Sequence, residues 1–393
     1  MSFVEKYSRK VLAILLALLI VVTLFYTNYI TTSSSSSSSI DKVVSSGYLE
    51  EQTYFNGSQS DSTQSRPESS NCVCHDDHGV VDDNRNGSPP QEHAEGSPFI
   101  VPESFPPPPQ TLLDKINSNL WEDRVLTVAV SNYGMRNHVY NWIESLKRTG
   151  EDKFLIFCLD DQLYHHLAEA GYENHASVIP EAWLHQEIEA GFEEYYTKKY
   201  RAITHAKTLV VQQLLYLDVK VLFSDVDIVW TRPRMREYIH TFLEIRHETH
   251  VMFQQEGFDQ KVVNSGFYIM RPSDEMKRLL AETIYLQDTN EGMTQQGAMN
   301  AALDHLNMDI RTSTVVLLDV LHFPNGFVYF THDLPKKHGV EPYIVHANYL
   351  VGEDKKRKLQ ESGLWYIDDQ WLANLDAQAE QTMKKKGVAT PTH

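Results

Sequence analysis

The sequence VLFSDVDIVW occupies residues 221–230 and places two aspartates, Asp225 and Asp227, among large apolar side chains. The apolar run Val219–Phe223 predicts a short strand, so the aspartates follow its carboxyl end, where ligands bind in open α/β sheets. Spaced by two in a strand-like chain, both carboxylates would point to the same side. Such a pair suits a divalent cation that also binds phosphate, because Mg²⁺ and Mn²⁺ prefer oxygen ligands. The alternative is a solvated acidic turn, which the apolar flanks disfavour.

Outward from this stretch, short apolar runs alternate with amphipathic segments, beginning near Thr111. This βα alternation is typical of an α/β fold with a mostly parallel sheet flanked by helices. The predicted strands are Val125–Val130, Phe154–Leu159, Ser177–Ile179 and Val219–Phe223. The predicted helices are Asn137–Arg148, Gln162–Ala170 and Tyr200–Leu217.

Three further motifs follow FSDVDIVW in order: VNSGFYIMRPS at 263–273, HANYLVG at 346–352 and GLWYID at 363–368. In combination they resemble the nucleotide-diphospho-sugar transferases of glycosyltransferase family 77, over about Val125 to Asp368. The resemblance implies a GT-A fold, with a Rossmann-like, mixed and mostly parallel sheet. It also implies an enzyme that transfers sugar from a nucleotide diphosphate, with a catalytic domain over residues 111–375.

The resemblance assigns a metal site and a catalytic residue. Asp225 and Asp227 would bind Mn²⁺ or Mg²⁺ together with His346, although a histidine at this position taken alone is more often a partly buried structural residue. Gln296 would have a catalytic role. Gln295 stands where relatives often have an acidic residue, so this position offers no carboxylate.

Donor-binding roles are predicted for Ser131, Asn132, Tyr133, Lys207, Asn264, Ser265 and Gly266. The first three follow the first strand, where such folds receive the nucleotide. Lys207 would neutralise donor phosphate, or its stem would simply cover apolar surface. Asn264 would bond sugar hydroxyls and Gly266 would let the backbone approach a ligand, with a tight turn as the alternative.

The resemblance favours a UDP-sugar of galactose, xylose or arabinose as donor and a glycan, polysaccharide or glycoprotein as acceptor. Retention of anomeric configuration is expected, either by front-face attack or through a covalent intermediate. Two other functions stay open. One is a catalytically silent, membrane-tethered ectodomain that binds sugar or protein, and the other is a nucleotide-sugar phosphohydrolase.

An uncharged apolar segment begins at Val11, and together with the weakly polar TNYI it predicts a transmembrane signal anchor over residues 11–30. Lys6, Arg9 and Lys10 precede it within the tail of residues 1–10, so the positive-inside rule places that tail in the cytosol. The expected protein is a type II Golgi membrane protein with a luminal catalytic domain. The alternative is a cleaved signal peptide, which would need a shorter apolar region.

Residues 31–110 are rich in Ser, Asp, Asn, Gly and Pro and are predicted to form a disordered luminal stem. They carry twelve acidic and three basic side chains, a charge of −9 that is half of the net −18. The stem contains two predicted glycosylation sites, Asn56 and Asn86. Cys72 and Cys74 could cross-link two chains in an oxidising compartment, which leaves a homodimer open.

Two remaining features concern charge and the C-terminus. The chain lacks a Lys/Arg cluster of the kind that binds a phosphate backbone, so nucleic acid is not an expected partner. Lys355–Lys358 is predicted to be a solvated helix face without a role. Residues 376–393 are predicted to form a flexible tail.

Overall fold

A computed structural model of the protein describes residues 99–184, 198–290, 292–308 and 313–387. The predicted cytosolic tail, transmembrane helix, both glycosylation sites and most of the stem fall in residues 1–98, outside the described residues. No helix within the described ranges has the length and apolar character needed to cross a membrane. The predictions for the N-terminal region therefore stay predictions.

Within the described residues, a seven-stranded sheet has the strand order β3-β2-β1-β4-β7-β6-β8. Its strands are β1 (Val125–Ser131), β2 (Leu155–Cys158), β3 (Ala176–Val178), β4 (Lys220–Ser224), β6 (Val251–Gln255), β7 (Val263–Met270) and β8 (Val315–Leu317). Only β7 runs antiparallel to its neighbours in this sheet. The mostly parallel sheet predicted from the sequence is confirmed. Two further strands, β5 (Ile228–Trp230) and β9 (Ile344–His346), form a separate antiparallel pair.

Helices cover both faces of the sheet. The α-helices of the described residues are α1 (Gln110–Asn119), α2 (Arg136–Thr149), α3 (Asp161–Glu169), α4 (Lys198–Tyr216), α5 (Met235–Ile245), α6 (Asp274–Thr289), α7 (Gln295–His305), α8 (Leu334–Lys337), α9 (Glu353–Glu361) and α10 (Asp369–Lys386). Apolar residues of α1, α4, α6 and α7 pack on one face, and those of α2, α3, α5 and α10 pack on the other. Alternate side chains of a strand point to opposite faces, so β1 is buried on both sides.

The elements predicted on either side of the Asp-x-Asp motif occur in the predicted order. Each of the seven predicted strands and helices from Val125 to Phe223 lies within two residues of its observed bounds. These segments have clear hydrophobic periodicity, which is the most reliable local signal for a strand or a helix.

The C-terminal tail predicted over residues 376–393 is wrong for residues 376–386, which belong to α10. The inner side of this helix is apolar and buried, at Leu372, Leu375, Ala379 and Met383. Their spacing of three and four residues is helical, but the many polar residues between them give the segment the composition of a tail. The folded domain therefore extends beyond the predicted limit of residue 375.

A partly buried polar cluster, here named the C-terminal network, attaches α10 to α2 and α3. The Asp376 carboxylate accepts two hydrogen bonds from the Arg136 guanidinium and one from His166 Nε2, each at 2.9 Å. Nδ1 of His166 lies 2.7 Å from the Tyr140 hydroxyl. Burial alone would raise the pKa of Asp376, but His166 and Arg136 hold it well below its usual range. Asp376 is therefore ionised at neutral pH.

The end of the predicted stem also packs on the domain. The Phe105 ring meets the Tyr216 ring edge to face at 4.8 Å, and the Tyr216 hydroxyl donates a hydrogen bond to the Pro102 carbonyl. Pro108 is buried. The predicted disorder of the stem is therefore wrong for Pro102 and Phe105, which contact Tyr216 of α4.

Candidate active site

The two aspartates lie in the turn that joins β4 to β5, at the carboxyl edge of the sheet. The prediction that Asp225 and Asp227 lie in a strand-like segment is therefore wrong, because both lie in a turn. Backbone hydrogen bonds hold this turn in place. The Asp225 amide donates to the Gly266 carbonyl at 2.8 Å, and the Ala347 amide donates to the Asp227 carbonyl at 3.0 Å. Asp227 is 7% exposed, so the solvated acidic turn is excluded for that residue.

His346 joins the two aspartates because β9 pairs with β5. In this pairing Ile228 lies opposite His346, which places the imidazole beside the neighbouring Asp227. One ligand atom from each of Asp225, Asp227 and His346 lies within 4.8 Å of the others. We call these three residues the acid cluster. Two carboxylates and one imidazole form a donor set that suits Mn²⁺.

Gln254 orients His346. Its Nε2 donates to the Phe323 carbonyl at 3.1 Å, which turns its amide oxygen toward His346 Nδ1 at 2.8 Å. An amide oxygen can only accept, so Nδ1 carries the proton. Nε2 of His346, 3.4 Å from Asp227 Oδ1, then keeps its lone pair for a metal ion. Sequence reasoning missed Gln254, because its role depends on a contact across 92 residues of chain.

A lysine binds each aspartate on the side away from the other ligands. Lys207 Nζ lies 2.6 Å from Asp225 Oδ1, and Lys355 Nζ lies 2.5 Å from Asp227 Oδ2. The remaining oxygens, Asp225 Oδ2 and Asp227 Oδ1, both lie near the His346 ring. Each carboxylate can therefore bind its lysine and a shared cation at the same time.

The interpretation of Lys355–Lys358 as a solvated helix face is wrong for Lys355, while Arg357 is exposed and Lys358 is partly exposed. The Lys355 side chain is 22% exposed and reaches Asp227 from the first turn of α9. Burial would raise the pKa of Asp227, but Lys355 and His346 hold it well below its ordinary value. Asp227 is therefore a carboxylate at neutral pH, as metal binding requires.

Gly266 leaves room for the acid cluster. A Cβ atom on this residue would lie 2.7 Å from Asp225 Oδ2 and 2.8 Å from His346 Cε1. Gly266 lies inside β7, so the alternative of a tight turn at 264–266 is wrong. The structure shows a close approach of the Gly266 backbone to the side chains of Asp225 and His346, and the approach of this backbone to a ligand stays a prediction.

The other predicted donor-binding residues of β7 point in different directions. The Asn264 side-chain oxygen accepts from the Gly266 amide at 2.8 Å, and its Nδ2 donates to the Glu256 carboxylate. Ser265 Oγ instead donates to Gln295 at 2.7 Å, toward α7. Gln296, the predicted catalytic residue, accepts a hydrogen bond from the Ser265 amide at 3.3 Å.

Ser131, Asn132 and Tyr133 are buried at the end of β1, next to the end of β4. The Tyr133 amide donates to Asp160 Oδ2 at 2.8 Å, and Asp160 Oδ1 caps α3 through the Leu163 amide. Asp160 therefore joins the ends of β1 and β2 at the edge that carries the acid cluster. It has no distinguishing pattern in the sequence, and sequence reasoning missed it.

A model of the nucleotide-diphospho-sugar transferase family matches residues 149–360, more than half of the chain. The chain belongs to this family. The matched region contains the acid cluster, Gly266 and Lys355. The family predicted from the sequence motifs is confirmed.

Curated relatives share about a quarter of their aligned residues with this chain. The UDP-galactose:fucoside alpha-3-galactosyltransferase of Dictyostelium discoideum is 26% identical over 285 residues, covering 62% of this chain and 43% of that protein. A beta-arabinofuranosyltransferase of Arabidopsis thaliana is 25% identical, covering 68% and 52%. A UDP-D-xylose:L-fucose alpha-1,3-D-xylosyltransferase of the same plant is 25% identical, covering 59% and 66%. The chain thus spans less than two thirds of each of these three relatives.

Two solved structures align with the domain at low identity. The galactosyltransferase LgtC, in complex with donor and acceptor sugar analogs, aligns over 63% of this chain and 99% of that chain at 13% identity, with a TM-score of 0.40. Mouse xyloside xylosyltransferase 1 aligns over 61% and 92% at 12% identity, with a TM-score of 0.31.

Proposed function

We propose that this protein is a metal-dependent glycosyltransferase of the GT-A type that transfers a sugar from a UDP-sugar to a glycan acceptor. The observation that supports the proposal most is the convergence of Asp225, Asp227 and His346 at the carboxyl edge of the sheet. This cluster lies inside the region matched to the nucleotide-diphospho-sugar transferase family. The two lysines beside it add the positive charge that a diphosphate needs.

Asp225, Asp227 and His346 would bind Mn²⁺ or Mg²⁺. The fit rests on the ionised Asp227, on the Nδ1-protonated His346 and on the space left by Gly266. When bound, the cation neutralises the charge that develops on the leaving diphosphate oxygens.

The donor would lie across the ends of β1 and β4. Lys207 and Lys355 carry flexible ammonium groups that reach the edge of the acid cluster, so each can donate to phosphate oxygens. The β1 end at Ser131–Tyr133 offers backbone and polar groups to the nucleoside. Asn264 faces the acid cluster next to Gly266 and would bind donor sugar hydroxyls.

Retention of configuration would follow from attack on the same face that the diphosphate leaves. The bond from the sugar C1 to the diphosphate oxygen breaks, the bond from C1 to the acceptor oxygen forms, and a diphosphate oxygen takes the acceptor proton. Asp225 and Asp227 are bound to lysines, and Gln295 offers no carboxylate, so a protein nucleophile is not the favoured route. Gln296 would position the reacting sugar from the first turn of α7.

The relatives act with galactose, xylose or arabinose, by their names. We propose one of these three sugars as the donor sugar. We place the enzyme in the Golgi membrane, with its catalytic domain in the lumen, on the apolar segment at residues 11–30 and the basic residues before it.

The test is UDP release by the full-length protein from UDP-galactose, UDP-xylose and UDP-arabinose, with Mn²⁺ and with EDTA. We expect release from one donor that depends on the metal and that an added glycan acceptor stimulates. Asp227→Asn should abolish it. The matched control is Asp218→Asn, since Asp218 is 81% exposed at the opposite end of β4.

Three outcomes would contradict the proposal. Absence of UDP release with all three donors would favour a binding ectodomain without catalysis. Metal-dependent UDP release that forms no glycoside product when an acceptor is added would favour a nucleotide-sugar phosphohydrolase. Equal turnover of Asp227→Asn and the unmodified protein would contradict the metal site itself.

A further inference from the structure

Four aromatic rings form a continuous cluster beside the acid cluster. Phe327 lies 5.2 Å from Phe258, 4.4 Å from His332 and 5.6 Å from Tyr349, measured between ring centroids. The three neighbours of Phe327 come from different parts of the chain. We call these four residues the aromatic platform. Tyr349 is 49% exposed, so part of its ring is open to solvent.

Buried hydrogen bonds fix the segments that carry the platform. Asn325 is fully buried, and its Nδ2 donates to the carbonyls of Gln255 and Gly257, at 3.0 Å each. The Gly326 amide donates to Asn348 Oδ1 at 2.6 Å. A Cβ on Gly326 would lie 2.0 Å from the Asn348 carbonyl oxygen, so only glycine permits this approach. The platform is therefore preformed, as expected of a ligand site.

The platform adjoins the acid cluster through two short connections. Tyr349 follows the proposed metal ligand His346 by three residues. Gly257 follows Gln254, the residue that orients His346, also by three residues. The Tyr349 hydroxyl lies 3.2 Å from the position of a Cβ on Gly257. Three residues span at most about 10 Å, so a sugar on Tyr349 would lie within one or two sugar lengths of the metal ligands.

A carboxylate lies between the platform and the donor site. Glu256 immediately precedes Gly257 and accepts a hydrogen bond from Asn264, the residue predicted to bind the donor sugar. A carboxylate has about four acceptor positions, so Glu256 can also accept from hydroxyl groups of a second sugar. Its negative charge disfavours an anionic ligand at this place.

These features together match one ligand class. A pyranose has a face of C–H groups that packs on an aromatic ring and a rim of hydroxyls that donate to carboxylates. We infer that the aromatic platform and Glu256 form the acceptor site, which binds the terminal neutral sugar of a glycan. This inference rests on the proposed transferase function, since an acceptor site needs a donor site beside it.

The experiment separates acceptor binding from donor turnover. Binding of methyl α-L-fucoside, methyl β-D-galactoside, methyl β-D-xyloside and methyl β-D-glucuronide to the full-length protein is measured by saturation-transfer NMR with UDP and Mn²⁺ present. UDP release is measured separately without any glycoside. The variants are Tyr349→Ala and Phe258→Leu. Val351→Ala is the matched control, because Val351 is 70% exposed in the same loop.

We expect at least one neutral glycoside to bind and the glucuronide not to bind. Each platform variant should weaken glycoside binding by about fivefold or more and leave acceptor-free UDP release within about twofold. Val351→Ala should change neither quantity beyond about twofold. The proposal is overturned if no neutral glycoside binds, if the glucuronide binds equally well, or if the variants lose UDP release in proportion to glycoside binding. Absence of UDP release from the unmodified protein would instead count against the proposed function, because the NMR measurement needs no turnover.

Discussion

Replacement of Gly266 by alanine adds one methyl group at the centre of the acid cluster and removes no hydrogen bond. The new Cβ would lie 2.7 Å from Asp225 Oδ2, 2.8 Å from His346 Cε1 and 3.0 Å from Asn264 Oδ1. Favourable separations between nonbonded atoms begin at about 3.5 Å, so these contacts are short by about 0.5 to 0.8 Å. Gly266 lies in β7 between two paired strands, so the side chains around it must move instead of the backbone.

We expect these short contacts to weaken metal binding more than they destabilise the folded protein. Overpacking of a buried site costs about 1–3 kcal/mol. If the two ligands move apart to relieve it, the metal affinity drops by about 5- to 150-fold. We therefore expect Gly266→Ala to raise the Mn²⁺ concentration for half-maximal UDP release within that range. Turnover at saturating Mn²⁺ should also fall, because the displaced ligands shift the donor diphosphate.

The assay is UDP release by full-length protein across a Mn²⁺ titration, with thermal unfolding followed by circular dichroism. Gly292→Ala is the matched control, since a Cβ there would have no atom within 4 Å. The control should match the unmodified protein in both measurements. If Gly266→Ala keeps its Mn²⁺ dependence and its turnover within about twofold, the metal does not bind where we place it.

Three further predictions test the residues around the cluster. Gln254→Ala should weaken Mn²⁺ binding by about 10- to 100-fold, because His346 loses the partner that fixes its tautomer, and Gln254→Glu should restore most of it. Unchanged Mn²⁺ titrations would contradict that role. Lys355→Met should raise the KM for the UDP-sugar by about tenfold or more, by loss of a charge-assisted bond to phosphate, and a KM unchanged in steady-state kinetics would argue against it. The native pKa of Asp376 is depressed, so its stabilising contribution is present above its unfolded pKa near about 4 and is lost as the pH falls below that value. Asp376→Asn should flatten this acid-side fall in the urea midpoint, and an equal slope in both proteins would refute the ionised C-terminal network.

The sequence predicted the fold well where apolar residues recur at the spacing of a strand or a helix. From Val125 to Phe223, strands and helices alternate with little ambiguity, and Asp225 and Asp227 follow the last of these strands. The proposed metal ligand His346 could be predicted only through the motif resemblance. Nothing in the local pattern around it distinguishes a ligand from a buried structural histidine.

The residues that were missed act through contacts distant in the chain. Lys355 stands in a polar helix whose composition indicates a solvated face, and only the folded chain places it on Asp227. Gln254 lies in a buried strand that ends in two adjacent glutamines, and the sequence does not indicate that one of them contacts His346. The α10 residues around Asp376 are mostly polar. The overall composition of this segment therefore does not indicate that one side of the helix is apolar.

The C-terminal network has a consequence for the order in which the protein can be completed. Asp376 binds Arg136 and His166, which precede it by 240 and 210 residues. During synthesis, α2 and α3 leave the ribosome long before their partner in α10 exists. Contacts of such large sequence separation form slowly, because a long loop must close first. The surface of α2 and α3 that α10 covers therefore stays uncovered until α10 has been synthesised, and a stop between His166 and Asp376 would leave that surface uncovered.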